Sequence, residues 1–164
     1  MDISELDPNP IKAVVIANRA GCPLISAILT PLFNLELLTG FISAIGLFGD
    51  EVLQQIEEIT IKGYKVEIFV AFNHGLFILA VLDSSAPKGN VREEAEKALD
   101  AFYNQYQEEI AEWNGDACQF EAFEVQLREQ IEEYVQSLQN SPEEIHRGSL
   151  LEKMFEWFAG KKES

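Results

Sequence analysis

The sequence predicts one α+β domain with the element order ββαβββαα, and three observations lead to this prediction. Two β-branched runs open the chain on either side of a turn-forming segment, so they predict a β-hairpin. One helical segment and three short apolar runs, separated by short turns, come next. Two long segments with apolar residues three and four positions apart follow, as in amphipathic helices. A chain of 164 residues, 47% of them hydrophobic, is long enough to bury one such core.

The hairpin strands are predicted at Ile11–Ala17 and Pro23–Leu29, because both runs lie beside the turn residues of Asn18–Cys22. Asn34 is a plausible N-cap, so the first helix is expected over Leu35–Ile56. Two neighbouring apolar stripes together cover about half of its circumference, which is wide enough to cover a sheet and to touch a neighbour. The first stripe comprises Leu35, Leu38, Ile42, Ile45, Val52, Leu53 and Ile56, and the second comprises Leu37, Phe41, Ala44 and Phe48.

The other half of this helix is polar and low-walled. It carries Glu36, Thr39, Gly40, Ser43, Gly46, Asp50 and Gln54. Each glycine costs a helix roughly 1 kcal/mol against alanine, so the small residues need a reason. Close approach by a partner and close approach by the protein's own chain both explain them.

Three strands are predicted next, at Glu57–Lys62, Lys65–Phe72 and Gly75–Leu82, and the short turns between them favour an antiparallel meander. Gly75–Leu82 is apolar on both sides, as expected of a central strand. The two late helices are predicted at Val91–Trp113 and Ala117–Leu138, with an Asn-Gly-Asp helix stop and cap between them.

The C-terminal segment is a separate piece. We expect a flexible N-terminus over 1–10, the domain over 11–138, and a linker with an amphipathic helix over 139–164. The apolar face of that helix comprises Leu150, Leu151, Met154, Phe155, Trp157 and Phe158. Such a face must be buried, either on the chain's own domain, in the groove of a partner, or on a membrane. Membrane binding is the weakest alternative, because the polar side carries little positive charge.

The net charge of −16 argues against partners that are themselves anionic. Binding to a phosphate backbone requires clustered lysines and arginines, and the twelve present here are scattered. The stretch Val91–Ile145 alone contains fifteen acidic and three basic residues. This stretch is interpreted as a solvated helical face, with the steering of basic partners as the alternative.

The two cysteines and the first residues bear on the cellular compartment. Cys22 and Cys118 are 96 positions apart and form no metal signature, so burial as small apolar side chains is favoured over a disulfide. Met1–Pro10 is polar and acidic, without the apolar stretch of a signal peptide. No apolar run reaches the roughly 18 residues of a membrane-spanning helix. We therefore expect a cytoplasmic protein.

Motifs that carry chemistry were not found in the sequence. It lacks a phosphate-binding glycine loop, a nucleophile elbow and a zinc-protease motif. His74 falls in a predicted tight turn and His146 in the segment before the tail, and either imidazole is more readily explained as incidental than as a base. The sequence therefore predicts no catalytic residue, no cofactor and no metal.

Once the order of elements is known, the chain resembles a longin domain over about Ile11 to Leu138. The stretch AVVIANRAG at Ala13–Gly21 resembles the first strand and turn of longin-fold adaptor small subunits. LLTGFISAI at Leu37–Ile45 resembles the first helix of archaeal longin-like proteins, and GLFILAVLD at Gly75–Asp83 resembles the last strand. The roadblock fold is a close relative. The order of elements carries most of the weight, since no single motif is diagnostic.

The resemblance implies a profilin-like sandwich, in which a five-stranded antiparallel sheet has one helix on one face and two on the other. Longin and roadblock domains generally act as non-catalytic platforms that pair with each other, and many bind or regulate small GTPases in membrane traffic. A scaffold or regulatory subunit, self-associating or paired with another longin-like chain, is therefore expected. The long heptad segment of a longin SNARE and the basic surface of a lipid-binding coat subunit are both missing.

A small-ligand sensor with a cavity between sheet and helix is the alternative function. For protein binding, the candidate surfaces are the first helix, the edges Pro23–Ile28 and Glu57–Lys62, and the tail. The predicted contact residues are Glu36, Gly40, Ser43, Leu47, Leu151, Met154, Phe155, Trp157 and Phe158.

Overall fold

Five antiparallel strands form a single sheet in the computed structural model, which describes residues 10–30, 34–52, 56–85 and 89–139. The elements are β1 (Ile11–Asn18), β2 (Pro23–Ile28), α1 (Leu35–Val52), β3 (Glu58–Lys62), β4 (Val66–Asn73), β5 (Leu76–Asp83), α2 (Val91–Ala111) and α3 (Glu121–Gln139). The strand order is β2-β1-β5-β4-β3. The predicted α+β class and the order ββαβββαα are both confirmed.

The predicted turn and cap residues act as expected. At the end of β1, the Asn18 side chain accepts a hydrogen bond from the Cys22 amide (3.0 Å), and Gly21 has φ +88°. Asn34 accepts a hydrogen bond from the Leu37 amide (3.1 Å) and thus caps α1. These local signals explain why the hairpin and the start of α1 could be predicted from sequence.

Element boundaries differ from the predicted ones by small shifts. β4 and β5 each lie one residue later than predicted, because the turn between them consists of His74 and Gly75, both with positive φ. α1 is helical to Val52 rather than to Ile56, whose side chain instead lies directly over Gly49, in space that a Cβ would occupy. Before α3, residues Ala117–Phe120 form a 3-10 turn instead of the first α-helical turn.

The sheet separates two layers of core. β5 shows this, since Ile78 and Leu82 face α2 and α3 while Phe77 and Leu79 face α1. Apolar burial on both sides of a central strand was predicted and is confirmed. Phe102 of α2 anchors the thicker layer, with ring centroids 5.2 Å from those of both Phe120 and Phe123.

The prediction that both cysteines are buried is wrong. Cys22 and Cys118 are exposed and free. Each follows a turn residue, Asn18 or Asp116, that holds its amide at the surface through a side-chain hydrogen bond. The predicted N-terminal segment, the tail helix and His146 lie outside the described residues.

Candidate interaction surface

One face of α1 packs on the sheet, and small residues allow it to come close. Ile42 is fully buried, and a Cβ at Gly46 would come within 2.9 Å of the Phe72 ring in β4. Ser43 is 4% exposed and faces the β1–β2 turn, where a Cβ on Gly21 would lie 3.1 Å from the Ser43 Cβ. At Gly46 and Ser43, therefore, the small residues serve the protein's own close packing.

An ion pair fastens the C-terminal half of α1 to the same turn. The Arg19 guanidinium pairs with the Asp50 carboxylate, and it also lies over the Phe72 ring, 5.7 Å from the centroid. The contact joins the β1–β2 turn, α1 and β4. Because α1 is held at this point as well as by Ile42, its outer face is presented on a fixed support.

The outer face of α1 is apolar and exposed. Its large side chains are Leu37 at 73%, Phe41 at 55%, Leu47 at 53% and Phe48 at 64% exposure. Gly40 and Ala44 lie between them, and a Cβ added to Gly40 would meet nothing within 4 Å. We call Leu37, Gly40, Phe41, Ala44, Leu47 and Phe48 the α1 surface. Four of the six exposed large hydrophobic residues in the described parts belong to it, and contiguous exposed apolar patches mark interaction sites.

The predicted contact residues of α1 are divided between its two faces. Glu36, Gly40 and Leu47 are on the exposed side, whereas Ser43 is buried and is not part of the α1 surface. Sequence reasoning assigned Phe41 and Phe48 to an apolar stripe but not to the contact set. The available signal was the width of the two apolar stripes, which is enough to cover a sheet and also to touch a neighbour. Leu151, Met154, Phe155, Trp157 and Phe158 lie outside the described residues.

β3 continues this side of the molecule to an open sheet edge. The described sheet ends with β3, whose Ile59 and Ile61 are half-buried and pack on the apolar layer that contains Ile42. Glu58 and Lys62 alternate with them and are exposed on the opposite side. The other predicted edge, β2, is also an edge strand, but α3 and the 3-10 turn lie against it.

The cavity expected of a small-ligand sensor is small. A cleft of about 40 Å³ lies between the sheet and the two late helices, lined by apolar residues such as Val14, Ala80 and Leu127. Gln130 bridges the helices above it by donating to the Glu94 backbone and side chain, at 3.0 and 2.9 Å. Sites for metabolites typically enclose about 300–1,000 Å³. The cleft in the core is therefore too small for a metabolite. A second, more open cleft of about 300 Å³ lies at the surface between β2 and the start of α3, lined by residues such as Ile25, Ser26 and Glu121.

The polar clusters among the described residues have structural roles. His74 Nε2 lies 2.7 Å from the Asp100 carboxylate, and its ring stacks on Tyr103 at 4.1 Å, so it joins the β4–β5 turn to α2. Among the described residues, no group of His, Cys, Asp or Glu is arranged to hold a metal ion. None of the described helices combines the length and apolar content that crossing a membrane requires.

The comparisons with known proteins concern the fold. Neither protein-family models nor the sequences of curated proteins match this chain. A Roadblock/LC7 domain from Streptomyces avermitilis superposes with a TM-score of 0.52 at 11% identity, over 60% of this chain and 86% of that chain. MglB from Myxococcus xanthus gives 0.53 at 17% identity, over 65% and 90% of the two chains.

A further MglB structure, described with a tetrameric arrangement, gives a TM-score of 0.52 at 16% identity, over 60% of this chain and 80% of that chain. At such identities the likeness concerns the backbone arrangement and not the chemistry of any site. The strand order, the single helix on one face and the helix pair on the other agree with it. The chain therefore has the fold of the longin/roadblock superfamily.

Proposed function

We propose that this chain is a non-catalytic interaction platform, a regulatory or scaffold subunit that works by pairing with longin/roadblock-type subunits. The paired subunit is a second copy or another chain of the same fold, and the pair engages a small GTPase in a trafficking-like system. The tail residues Leu151, Met154, Phe155, Trp157 and Phe158 supply a second contact to a partner. The observation that supports the proposal best is the exposed apolar α1 surface.

Physical chemistry favours covering this surface. Full burial of a Leu or Phe side chain stabilises by about 1.5–3 kcal/mol, and four such side chains stand together on one rigid helix. Gly40 and Ala44 let a partner helix approach the backbone between them. Among the described strands, β3 has no neighbour on its outer side, and an edge of this kind is a ready template for another strand. Helix and edge together can accept a subunit of the same architecture.

Two further considerations, both drawn from similar folds, support the general idea of association with other proteins. One of the similar structures, an MglB, is described as tetrameric, so association occurs on this fold in that protein. Engagement of a small GTPase rests on the analogy between folds, which is a weaker ground than a site. It therefore needs its own measurement.

Pairing through α1 is tested by substituting Phe41→Glu in the full chain. We expect wild type to associate in sedimentation equilibrium at high salt and Phe41→Glu to remain monomeric, because a buried unpaired carboxylate opposes the interface. Val125→Glu is the matched control, since Val125 is 62% exposed on α3, away from α1. It should associate as wild type does.

GTPase engagement is tested with small GTPases encoded in the same genome, loaded with GDP or with a non-hydrolysable GTP analogue. We expect immobilised chain to retain one of them in a nucleotide-dependent manner. If the chain is monomeric at every concentration and retains none of these GTPases, the proposed function is wrong.

A further inference from the structure

We infer that the α1 surface selects a partner subunit whose facing helix carries Lys or Arg at both ends of an apolar stripe, in preference to a second copy of this chain. The inference rests on the proposed function, because it names the partner of the same surface. It follows from the charges that border the apolar residues.

Both ends of the α1 surface are acidic. Glu36 lies exposed in the first turn of α1 and Glu51 lies exposed at its end, on the same side as Leu37 and Phe48. The helix from Leu35 to Val52 contains no Lys or Arg. Its C-terminal end already carries the negative pole of the helix dipole, so Glu51 adds charge of the same sign.

The described cations around α1 do not neutralise these ends. Arg19 packs against the helix, and it is paired with Asp50 and stacked over Phe72. On β3, Lys62 shares the side of Glu58 and Thr60, opposite the side that packs with α1. Neither Glu36 nor Glu51 takes part in an ion pair within the described residues.

Two-fold symmetry makes this arrangement unfavourable for self-pairing. In an isologous contact each residue meets a symmetry-related position of the same helix. With antiparallel helices, Glu36 of one copy approaches Glu51 of the other at both ends. With parallel helices, each glutamate approaches its own equivalent. Either geometry sets carboxylate against carboxylate beside a desolvated apolar stripe, where like charges repel most strongly.

A partner helix with a cation at each end would instead be attracted by Glu36 and Glu51 at the two ends of the α1 surface. The apolar residues between the ends supply affinity for any apolar stripe, while the charges at the ends discriminate between partners. Gly40 and Ala44 bring the helices close, which strengthens both effects. A subunit of the same fold with Lys or Arg in these two places therefore fits better than a second copy.

The test mixes full-length wild type with a charge-reversed copy, Glu36→Lys/Glu51→Lys, carrying a different tag. At about 0.05 M NaCl we expect the mixed pair to bind about tenfold more tightly than either chain binds itself, and the difference to shrink at about 0.5 M NaCl. The neutral copy, Glu36→Gln/Glu51→Gln, should bind itself more tightly than wild type does. Circular dichroism verifies that each variant is folded.

A matched control separates local from total charge. Glu132→Lys/Glu133→Lys makes the same change in net charge on exposed positions of α3. The α1 charge reversal should increase the affinity for wild type strongly. The α3 variant should increase it by no more than a small fraction of that amount.

Three results would overturn the inference. If wild type binds itself at low salt as tightly as it binds the charge-reversed variant, a second copy is the occupant of the α1 surface. An equal gain from the α3 control would make total charge the cause. A tail variant, Phe155→Glu, that strengthens self-association would show that the chain's own tail covers α1. If wild type pairs neither with itself nor with the charge-reversed variant at any salt concentration, and no small GTPase is retained, the proposed function itself is wrong.

Discussion

At the scale of single residues, Cys118 illustrates an exposed group with suppressed chemistry. Its thiol hydrogen-bonds to Asp116 and Glu121, and these bonds, together with the two negative charges, raise the pKa of Cys118 from 9.0 to about 11. The side chain is accessible, but the raised pKa keeps it protonated near neutral pH. Because the thiolate is the nucleophile, the reactivity of Cys118 is low. The folded state holds this proton more tightly than the unfolded state, so its stabilising contribution is complete below pH 9 and is lost as the pH rises towards 11.

Alkylation measures this effect. In a Cys22→Ser background at about pH 8.5, Asp116→Asn should raise the rate of Cys118 modification by iodoacetamide roughly fivefold, because Asp116 raises the pKa of the thiol most and the substitution removes its negative charge. Asparagine keeps an acceptor for the Cys118 amide, so the 3-10 turn is preserved. Equal rates in the two proteins would contradict the assignment of the raised pKa to Asp116.

The exposure of both cysteines follows from their neighbours in the sequence and not from the usual behaviour of the residue type. Free cysteines are usually buried in folded proteins, and this tendency predicts burial for both. Yet Cys22 lay in a predicted turn and Cys118 followed a predicted cap, and positions beside turn residues face solvent. The local signal was the better guide.

At the scale of elements, α1 shows what periodicity can and cannot predict. The two apolar stripes were read from the sequence, and the second stripe is the exposed one. The burial of Ser43 and Gly46 could not be read in this way, because it depends on Phe72 and the β1–β2 turn, which are distant in sequence. Small residues become buried where a bulky neighbour fills the space that they leave.

The close approach between α1 and the β1–β2 turn leads to a stability prediction. Gly21→Ala should destabilise the protein by about 2–3 kcal/mol, since Gly21 has φ +88° and the new Cβ would lie 3.1 Å from the Gly40 Cα. Urea denaturation followed by circular dichroism measures the loss.

Gly75→Ala is the matched control for this prediction. Gly75 has φ +71°, but a Cβ there meets nothing within 4 Å, so backbone strain alone should destabilise by about 1 kcal/mol. The difference between the two variants isolates the contact between the turn and α1. Equal losses would show that α1 yields to the added methyl group.

At the scale of the whole molecule, the order of elements was predicted from the sequence, whereas the surface that meets a partner was predicted only in part. Local patterns specify hairpins, helices and caps, and the resemblance to a known fold joined them into one sheet. Which face of α1 stays exposed depends on contacts between segments that are distant in sequence, such as those of Ser43 with the β1–β2 turn and of Gly46 with Phe72. A linear pattern does not show these contacts.

The net charge of −16 also acts on the whole molecule, and it makes stability depend on salt. Many of the acidic residues stand exposed on α2 and α3, so folding gathers like charges that the unfolded chain keeps apart. Raising NaCl from about 0.02 M to 0.5 M shortens the screening length and should raise Tm by about 5 °C. The measurement uses the Phe41→Glu variant, because association would itself raise Tm. Adding Glu129→Gln/Glu132→Gln/Glu133→Gln should reduce the salt effect, and an undiminished effect would place the repulsion elsewhere.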